Sequence, residues 1–262
     1  GEGISTSDTE LKLPHLGGIY EYFLKGIQTA LRPKGYGEAI TFGKVADCEG
    51  GNKIMPLGDS ITALNDSYRN KLWELLNRND INFVGSQSSG TLPDKDHEGH
   101  GGWKTDQVDA NINGLMSSYT PKYILLLVGT NDVTRTRVVD SNWLNQAETY
   151  LGSALDKIYA KSPTTKIFVS TAIPRTDCYP LNSSTCGYNN LIADWNNRVK
   201  NIVNQRAGKP VYLVDMYNES GINTSDLTDG LHPNATGSNK MATVWFNHLN
   251  SELEVGESCN GG

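Results

Sequence analysis

Ser60 follows an apolar run and a tight turn, in Lys53-Ile54-Met55-Pro56-Leu57-Gly58-Asp59-Ser60-Ile61-Thr62. A short buried strand that ends in a polar turn is where open α/β sheets place their chemistry. Ser60 is therefore a candidate nucleophile. Hydrolysis by a serine also needs a base held in one tautomer and donors for the oxyanion. The base candidate is His232, in Thr228-Asp229-Gly230-Leu231-His232-Pro233. Asp229 lies three residues upstream, so one tight loop can bring its carboxylate to Nδ1–H and turn Nε2 toward Ser60. Pro233 suits the first turn of a following helix. His15 and His248 lack such an arrangement, lying in segments that read as loop and helix surface.

Two loops can supply oxyanion donors. Asn131, in Gly129-Thr130-Asn131-Asp132, offers a side-chain amide just after the apolar run Tyr123–Val128. Gly102, in His97-Glu98-Gly99-His100-Gly101-Gly102-Trp103 after the second strand, belongs to a double glycine that lets a backbone N–H approach a substrate. Trp103 beside it is expected to wall a short acyl slot. The polar cluster Asp94, Asp96, His97, Glu98 and His100 raises a metal site as an alternative. It does not match H-E-x-x-H, because its histidines are three apart rather than four. No cofactor is expected. No G-x-S-x-G elbow occurs, which excludes the ordinary α/β-hydrolase arrangement.

The elements that must position these loops follow from periodicity. Apolar runs predict strands over Ile54–Leu57, Ile81–Gly85, Tyr123–Val128, Ile167–Thr171 and Val211–Asp215. Helical spacing predicts helices over Tyr68–Asn79, Thr105–Ser118, Trp143–Lys161, Leu191–Arg206 and Ala235–Leu253. Such alternation argues α/β, with a mostly parallel sheet covered on both faces. Ile19, Tyr20, Phe23, Leu24, Ile27 and Leu31 predict a further helix over Gly18–Leu31, ended by Pro33, Gly35 and Gly37. The expected organisation is an extension over 1–52 that packs on a main domain over 53–255, then a tail over 256–262.

The 262 residues carry a net charge of −6, and 37% are hydrophobic. That balance disfavours nucleic acid and anionic membranes, which select clustered Lys and Arg. The longest strongly apolar run, Tyr123–Val128, is too short to span a bilayer. The four cysteines form no CxxC pair. Their even number, with sequons at Asn65, Asn182, Asn218, Asn223 and Asn234, points to a secreted glycoprotein. The chain begins without an apolar signal region, so any signal peptide is expected to have been removed. The loop Asp177–Gly187 favours a Cys178–Cys186 disulfide, which leaves Cys48–Cys259 to join the two ends.

Taken together, Gly58-Asp59-Ser60, Gly102, Gly129-Thr130-Asn131-Asp132 and Asp229-Gly230-Leu231-His232 resemble the SGNH hydrolases, also called GDSL esterases. The resemblance implies a three-layer α/β/α sandwich with a central five-stranded, mostly parallel, flavodoxin-like sheet. It implies Ser60 as nucleophile and oxyanion donor, Gly102 and Asn131 as further donors, His232 as base and Asp229 as its orienter. With Ser67-Tyr68-Arg69 and Asp94–Trp103, the chain is most similar to carbohydrate esterase family 3 acetyl xylan esterases over about residues 53–254. That likeness implies a secreted enzyme that deacetylates plant cell-wall xylan. Some relatives bind a structural calcium; nothing in the sequence indicates one. Trp103, Tyr68 and Asp59 are expected at the substrate, with Asn65, Ser67, Thr105 and Gln107 offering polar groups to a sugar. A monomer is expected. Two other readings stand beside this one: a broader carboxylesterase or lipase, and a carbohydrate-binding module without turnover.

Overall fold

The computed structural model of the protein describes residues 51–178 and 188–254. The expected helix Gly18–Leu31, the packing of the extension, the tail and the sequon Asn182 lie outside the described residues, as do Cys48, Cys186 and Cys259.

Among the described residues the strands are β1 Asn52–Gly58, β2 Ile81–Phe83, β3 Gln87–Ser88, β4 Asp96–Gly99, β5 Tyr123–Leu127, β6 Lys166–Ser170 and β7 Val211–Val214. The helices are α1 Ser60–Ala63, α2 Tyr68–Leu76, α3 Thr105–Tyr119, α4 Thr130–Val138, α5 Trp143–Lys161, α6 Asn189–Asn204, α7 Met216–Glu219 and α8 Ala235–Leu249. All five expected strands are present. β3 and β4 are additional, so the sheet has seven strands rather than five. Their segments carry no apolar alternation, which is why periodicity passes over them. β4 forms because the last residues of β1 need a neighbour: Leu57 pairs with Glu98 and Gly58 with Gly99. β2 pairs only with the first half of β1, Asn52–Ile54, so two short strands share one edge of β1.

β5 occupies the other edge, and β6 and β7 follow it in parallel. Only β3 is antiparallel, on β4. The five expected strands thus run β2-β1-β5-β6-β7, the flavodoxin-like order. In that order the sheet changes direction between β1 and β5, and ligands bind at the carboxyl ends of those two strands.

Alternation along each strand divides the core into two layers. Met55, Leu57, Ile124, Leu126, Ile167 and Val169 pack with α3, α5 and α6. Ile54, Tyr123, Leu125, Leu127 and Phe168 pack with α2 and α8 on the opposite face. This is the expected α/β/α sandwich. α4 was not predicted, because its TNDVTRTRV sequence is rich in Thr and charge and has little apolar periodicity. α2 stops at Leu76 because Asn77 takes a left-handed φ of 42°. Pro233 precedes α8 rather than entering it; Asn234 is the cap, accepting from Thr236 N and Gly237 N.

Candidate active site

Ser60 opens α1 at the carboxyl end of β1. Two features bring it there. A Cβ on Gly58 would collide with the Leu127 carbonyl oxygen of β5, so only glycine permits this approach of the two strands. Asp59 then caps α1, accepting from Ile61 N at 3.0 Å. The remaining site residues come from the ends of three other segments: Gly102 after β4, Asn131 after β5, and Asp229 and His232 between β7 and α8.

Ser60 Oγ lies 2.9 Å from His232 Nε2. His232 Nδ1 lies 2.8 Å from Asp229 Oδ2. Asp229 Oδ1 accepts from the backbone N–H of Leu231 at 3.0 Å and of His232 at 2.7 Å. Burial opposes the charge on Asp229, but hydrogen bonds from the His232 backbone and ring and from Leu231 outweigh it and hold the carboxyl at about 2. A carboxylate can only accept, so Nδ1 carries the proton and Nε2 presents a lone pair to the Ser60 hydroxyl. The loop itself is pinned from β6's side: Gly230 O accepts from Thr176 N at 2.8 Å and Asp177 N at 3.2 Å.

Asn131 Nδ2 donates to the Trp103 carbonyl at 3.0 Å. An amide nitrogen has two hydrogens, so one remains for a substrate oxygen. Gly102 is exposed, and Trp103 is half-buried and packs against the core layer formed with α3 and α5. The first N–H groups of α1 have no intrahelical acceptor, which adds the Ser60 N–H to the potential donors.

Two expected substrate contacts are corrected. Tyr68 is fully buried; its hydroxyl lies 3.1 Å from Thr62 Oγ1 and its ring packs against Trp245. Asp59 is also fully buried. Neither can touch a sugar. Ser67 and Thr105 are buried too, Ser67 capping α2 and Thr105 donating to Asp132. Asn65 remains exposed. Gln107 is half-buried, its side-chain oxygen accepting from Lys104 N at 3.0 Å. Among the sequons, Asn65, Asn218 and Asn223 are exposed and Asn234 is half-buried; Asn218 donates its amide to Asp215 Oδ2 at 2.7 Å and Asn234 to Ser225 O at 2.8 Å.

Four of the five residues that suggested a metal, Asp94, His97, Glu98 and His100, are spent on structure. His97 donates through Nε2 to Ser89 Oγ and accepts the Gly99 N–H at Nδ1; burial and the nearby Arg69 charge hold it neutral, with its pKa lowered to about 3. Asp94 accepts from Phe83 N at 2.7 Å, and Glu98 accepts from Ser86 and His100.

Sequence reasoning passed over three buried side chains that brace the site. Arg69 donates to Thr62 O, Leu64 O, Ser89 O, Ser89 Oγ and Lys95 O, fastening the far end of α1; burial lowers its pKa to about 10. Asp132 accepts from Thr105 N, Thr105 Oγ1 and Trp143 Nε1, fixing the start of α3 beside Trp103. Arg175 donates to Thr130 O at the start of α4 and pairs with Asp177, whose N–H holds Gly230. The only sequence signal for Arg69 was its place in Ser67-Tyr68-Arg69, and for Asp132 its place in Gly129-Thr130-Asn131-Asp132; for Arg175 there was none.

Residues 57–240 match the model of the GDSL-like Lipase/Acylhydrolase family. A multidomain esterase of Ruminococcus flavefaciens is 30% identical over 247 residues, covering 82% of this chain and 30% of the relative. The chain thus spans under a third of that relative's length. Among solved structures, a family 3 carbohydrate esterase of Clostridium thermocellum is 33% identical with a TM-score of 0.62, covering 78% of this chain and 100% of that one. A carbohydrate esterase family 3 protein of Talaromyces cellulolyticus is 26% identical with a TM-score of 0.65, covering 77% and 99%. With the family match spanning most of the chain and both strand order and site geometry in agreement, the chain belongs to the GDSL-like lipase/acylhydrolase family of ester hydrolases.

Proposed function

We propose that the chain is a secreted serine esterase that removes acetyl groups from xylan or a related plant cell-wall polysaccharide. The observation that carries this reading is the continuous hydrogen-bond path from Ser60 through His232 to Asp229. Ser60 Oγ attacks the acetyl carbonyl carbon and its proton passes to His232 Nε2. The oxyanion accepts from the N–H groups of Ser60 and Gly102 and from the Asn131 amide. Collapse expels the sugar oxygen, which takes the proton from Nε2. Water then repeats the sequence and releases acetate, restoring Ser60. Asp229 holds the imidazole and stabilises it while charged. The carbohydrate assignment draws on solved relatives named as family 3 carbohydrate esterases, and the acetyl assignment on a solved relative named as an acetyl esterase. A binding module has no need for all five of these residues.

The test is acetate release from acetylated xylan, beside p-nitrophenyl acetate, butyrate and octanoate. Ser60→Ala is expected to lose turnover on the order of a millionfold. Rates are expected to fall as the acyl chain grows. Rates that rise along the series would replace the acetylesterase with a lipase, and a Ser60→Ala protein as active as the parent would remove the nucleophile.

Secretion and a monomeric state belong to the same proposal, as do the disulfides Cys178–Cys186 and Cys48–Cys259. Peptide mapping without reduction checks the pairing; a Cys48–Cys178 link overturns it.

A further inference from the structure

Past Gly99 the chain leaves the sheet and turns through His100-Gly101-Gly102-Trp103 to reach α3. Gly101 and Gly102 are exposed, and nothing lies within 4 Å of where a Cβ on either would stand. Gly102 has φ +80°, a conformation glycine adopts freely. Consecutive glycines have the most backbone freedom of any pair. What aims the Gly102 N–H must therefore act on the two ends of the turn.

Both ends are held. His100 N donates to Gly58 O at 2.9 Å, beside the turn that carries Ser60, and Trp103 N donates to His100 O at 3.1 Å. Trp103 O accepts the Asn131 amide. Across the glycines the His100 ring stacks on the Trp103 indole, with centroids 3.8 Å apart and planes 12° from parallel. The edge of the same imidazole is taken by Glu98: Nε2 lies 2.6 Å from Glu98 Oε1. Glu98 is only 1% exposed, and its carboxylate also accepts from Ser86 N at 2.6 Å and Ser86 Oγ at 3.0 Å. The imidazole is thus fixed by its face and by its edge, and rotating it would cost both contacts. The pair is not a second catalytic dyad, because Nε2 meets the carboxylate and the ring face meets an indole rather than a serine.

We propose that Glu98, His100 and Trp103 form a side-chain clamp across the Gly101-Gly102 turn, and that His100 is a positioning residue for the Gly102 N–H in the transition state. The proposal rests on the esterase reading above. It makes His100 act on the chemical step, with little effect on ground-state binding.

The experiment uses the full chain and p-nitrophenyl acetate, with His100→Ala, His100→Phe and Glu98→Gln. Misplacing a donor by about 1 Å can cost on the order of 100-fold, so His100→Ala is expected to lose about that much in kcat with KM within about twofold. His100→Phe keeps an aromatic face for the indole and is expected to recover about tenfold of the loss. Glu98→Gln retains an acceptor for Nε2 and is expected to fall between parent and His100→Ala. Melting temperatures separate this from simple unfolding. A His100→Ala protein with kcat within about threefold of the parent overturns the clamp, since a misplaced donor costs far more. So does a His100→Phe protein no faster than His100→Ala. If His100→Ala does not fold, the other two variants decide: lowered kcat at unchanged KM in both supports the clamp, and parental kcat in both overturns it. Failure of the esterase reading looks different, as absence of turnover by the parent itself.

Discussion

Asn131 donates its side-chain amide to the Trp103 carbonyl, so the two loops expected to bind the oxyanion are already joined before substrate arrives. The link crosses from the end of β5 to the start of α3, and Asp132 repeats it one residue later through Thr105. Donors fixed in advance need no reorganisation when charge develops, which is where electrostatic catalysis gains most.

Asn131→Ala is therefore expected to lower kcat by about 100- to 1000-fold with a modest change in KM, the loss typical of one oxyanion donor. Steady-state kinetics with p-nitrophenyl acetate check it. A rise in KM alone would make Asn131 a binding residue.

Asp229→Asn should cut kcat by about 10⁴-fold while leaving the fold intact, because an amide can donate to Nδ1 and favour the wrong tautomer. In the parent, Asp229 stays a carboxylate down to about pH 2. Loss of activity at any higher acidic pH then does not come from Asp229; protonating the imidazole removes the acceptor for the Ser60 proton, and the buried Asp59 beside Ser60, lifted to about 7, changes charge as well. The depressed carboxyl also contributes stability above its unfolded value of 3.8, which is lost as pH falls toward 2. Rate and melting profiles from acid to neutral pH, for parent and variant, separate the two effects. A rate profile flat across that range would count against His232.

Asp59 carries the opposite linkage. Burial, only partly offset by the Ile61 N–H and by the His232 and Arg175 charges, lifts its carboxyl from 3.8 to about 7. Its Oδ2 has no hydrogen-bond partner among the described residues. Between those values the folded chain holds a proton that the unfolded chain has released. Stability is thus fully present below the unfolded value and falls as pH rises toward 7, by on the order of 4 kcal/mol if Asp59 acted alone. Asp59→Asn keeps a good helix cap and cannot ionise. Its melting temperature should fall less than the parent's between acid and pH 8. Parallel curves would refute the assignment.

Replacing Arg69 by Met would take this donor from the carbonyls of Thr62 and Ser89, while Leu64 O would keep the Ser67 N–H. Each carbonyl left without a donor costs about 1–3 kcal/mol, so a total of about 2 kcal/mol or more is expected in urea unfolding. Arg69→Lys should recover only part, having no planar fork to reach opposite acceptors at once. A Met variant as stable as the parent would show that these bonds contribute little.

The residues of the expected chemistry could be named from the chain alone, because each stands in a short, recognisable block. Ser60 and Asn131 directly follow apolar runs, whereas Gly102, Asp229 and His232 were marked by residue type and local spacing. The five expected strands were equally legible, since both faces of the sheet are covered and most of their runs are continuously apolar. Tertiary structure decided the rest. Whether a polar side chain faces solvent or the core depends on partners far away in sequence, about which periodicity carries no information. Tyr68 and Asp59 sit in the site's motifs yet lie in the interior. Arg69, Asp132 and Arg175 became braces only where Ser89, Thr105 and Thr130 were brought to them. β4 is a strand because β1 offers it an unpaired edge, and its own buried His97 and Glu98 are tolerated because folding supplies Ser89, Ser86 and His100 as hydrogen-bond partners.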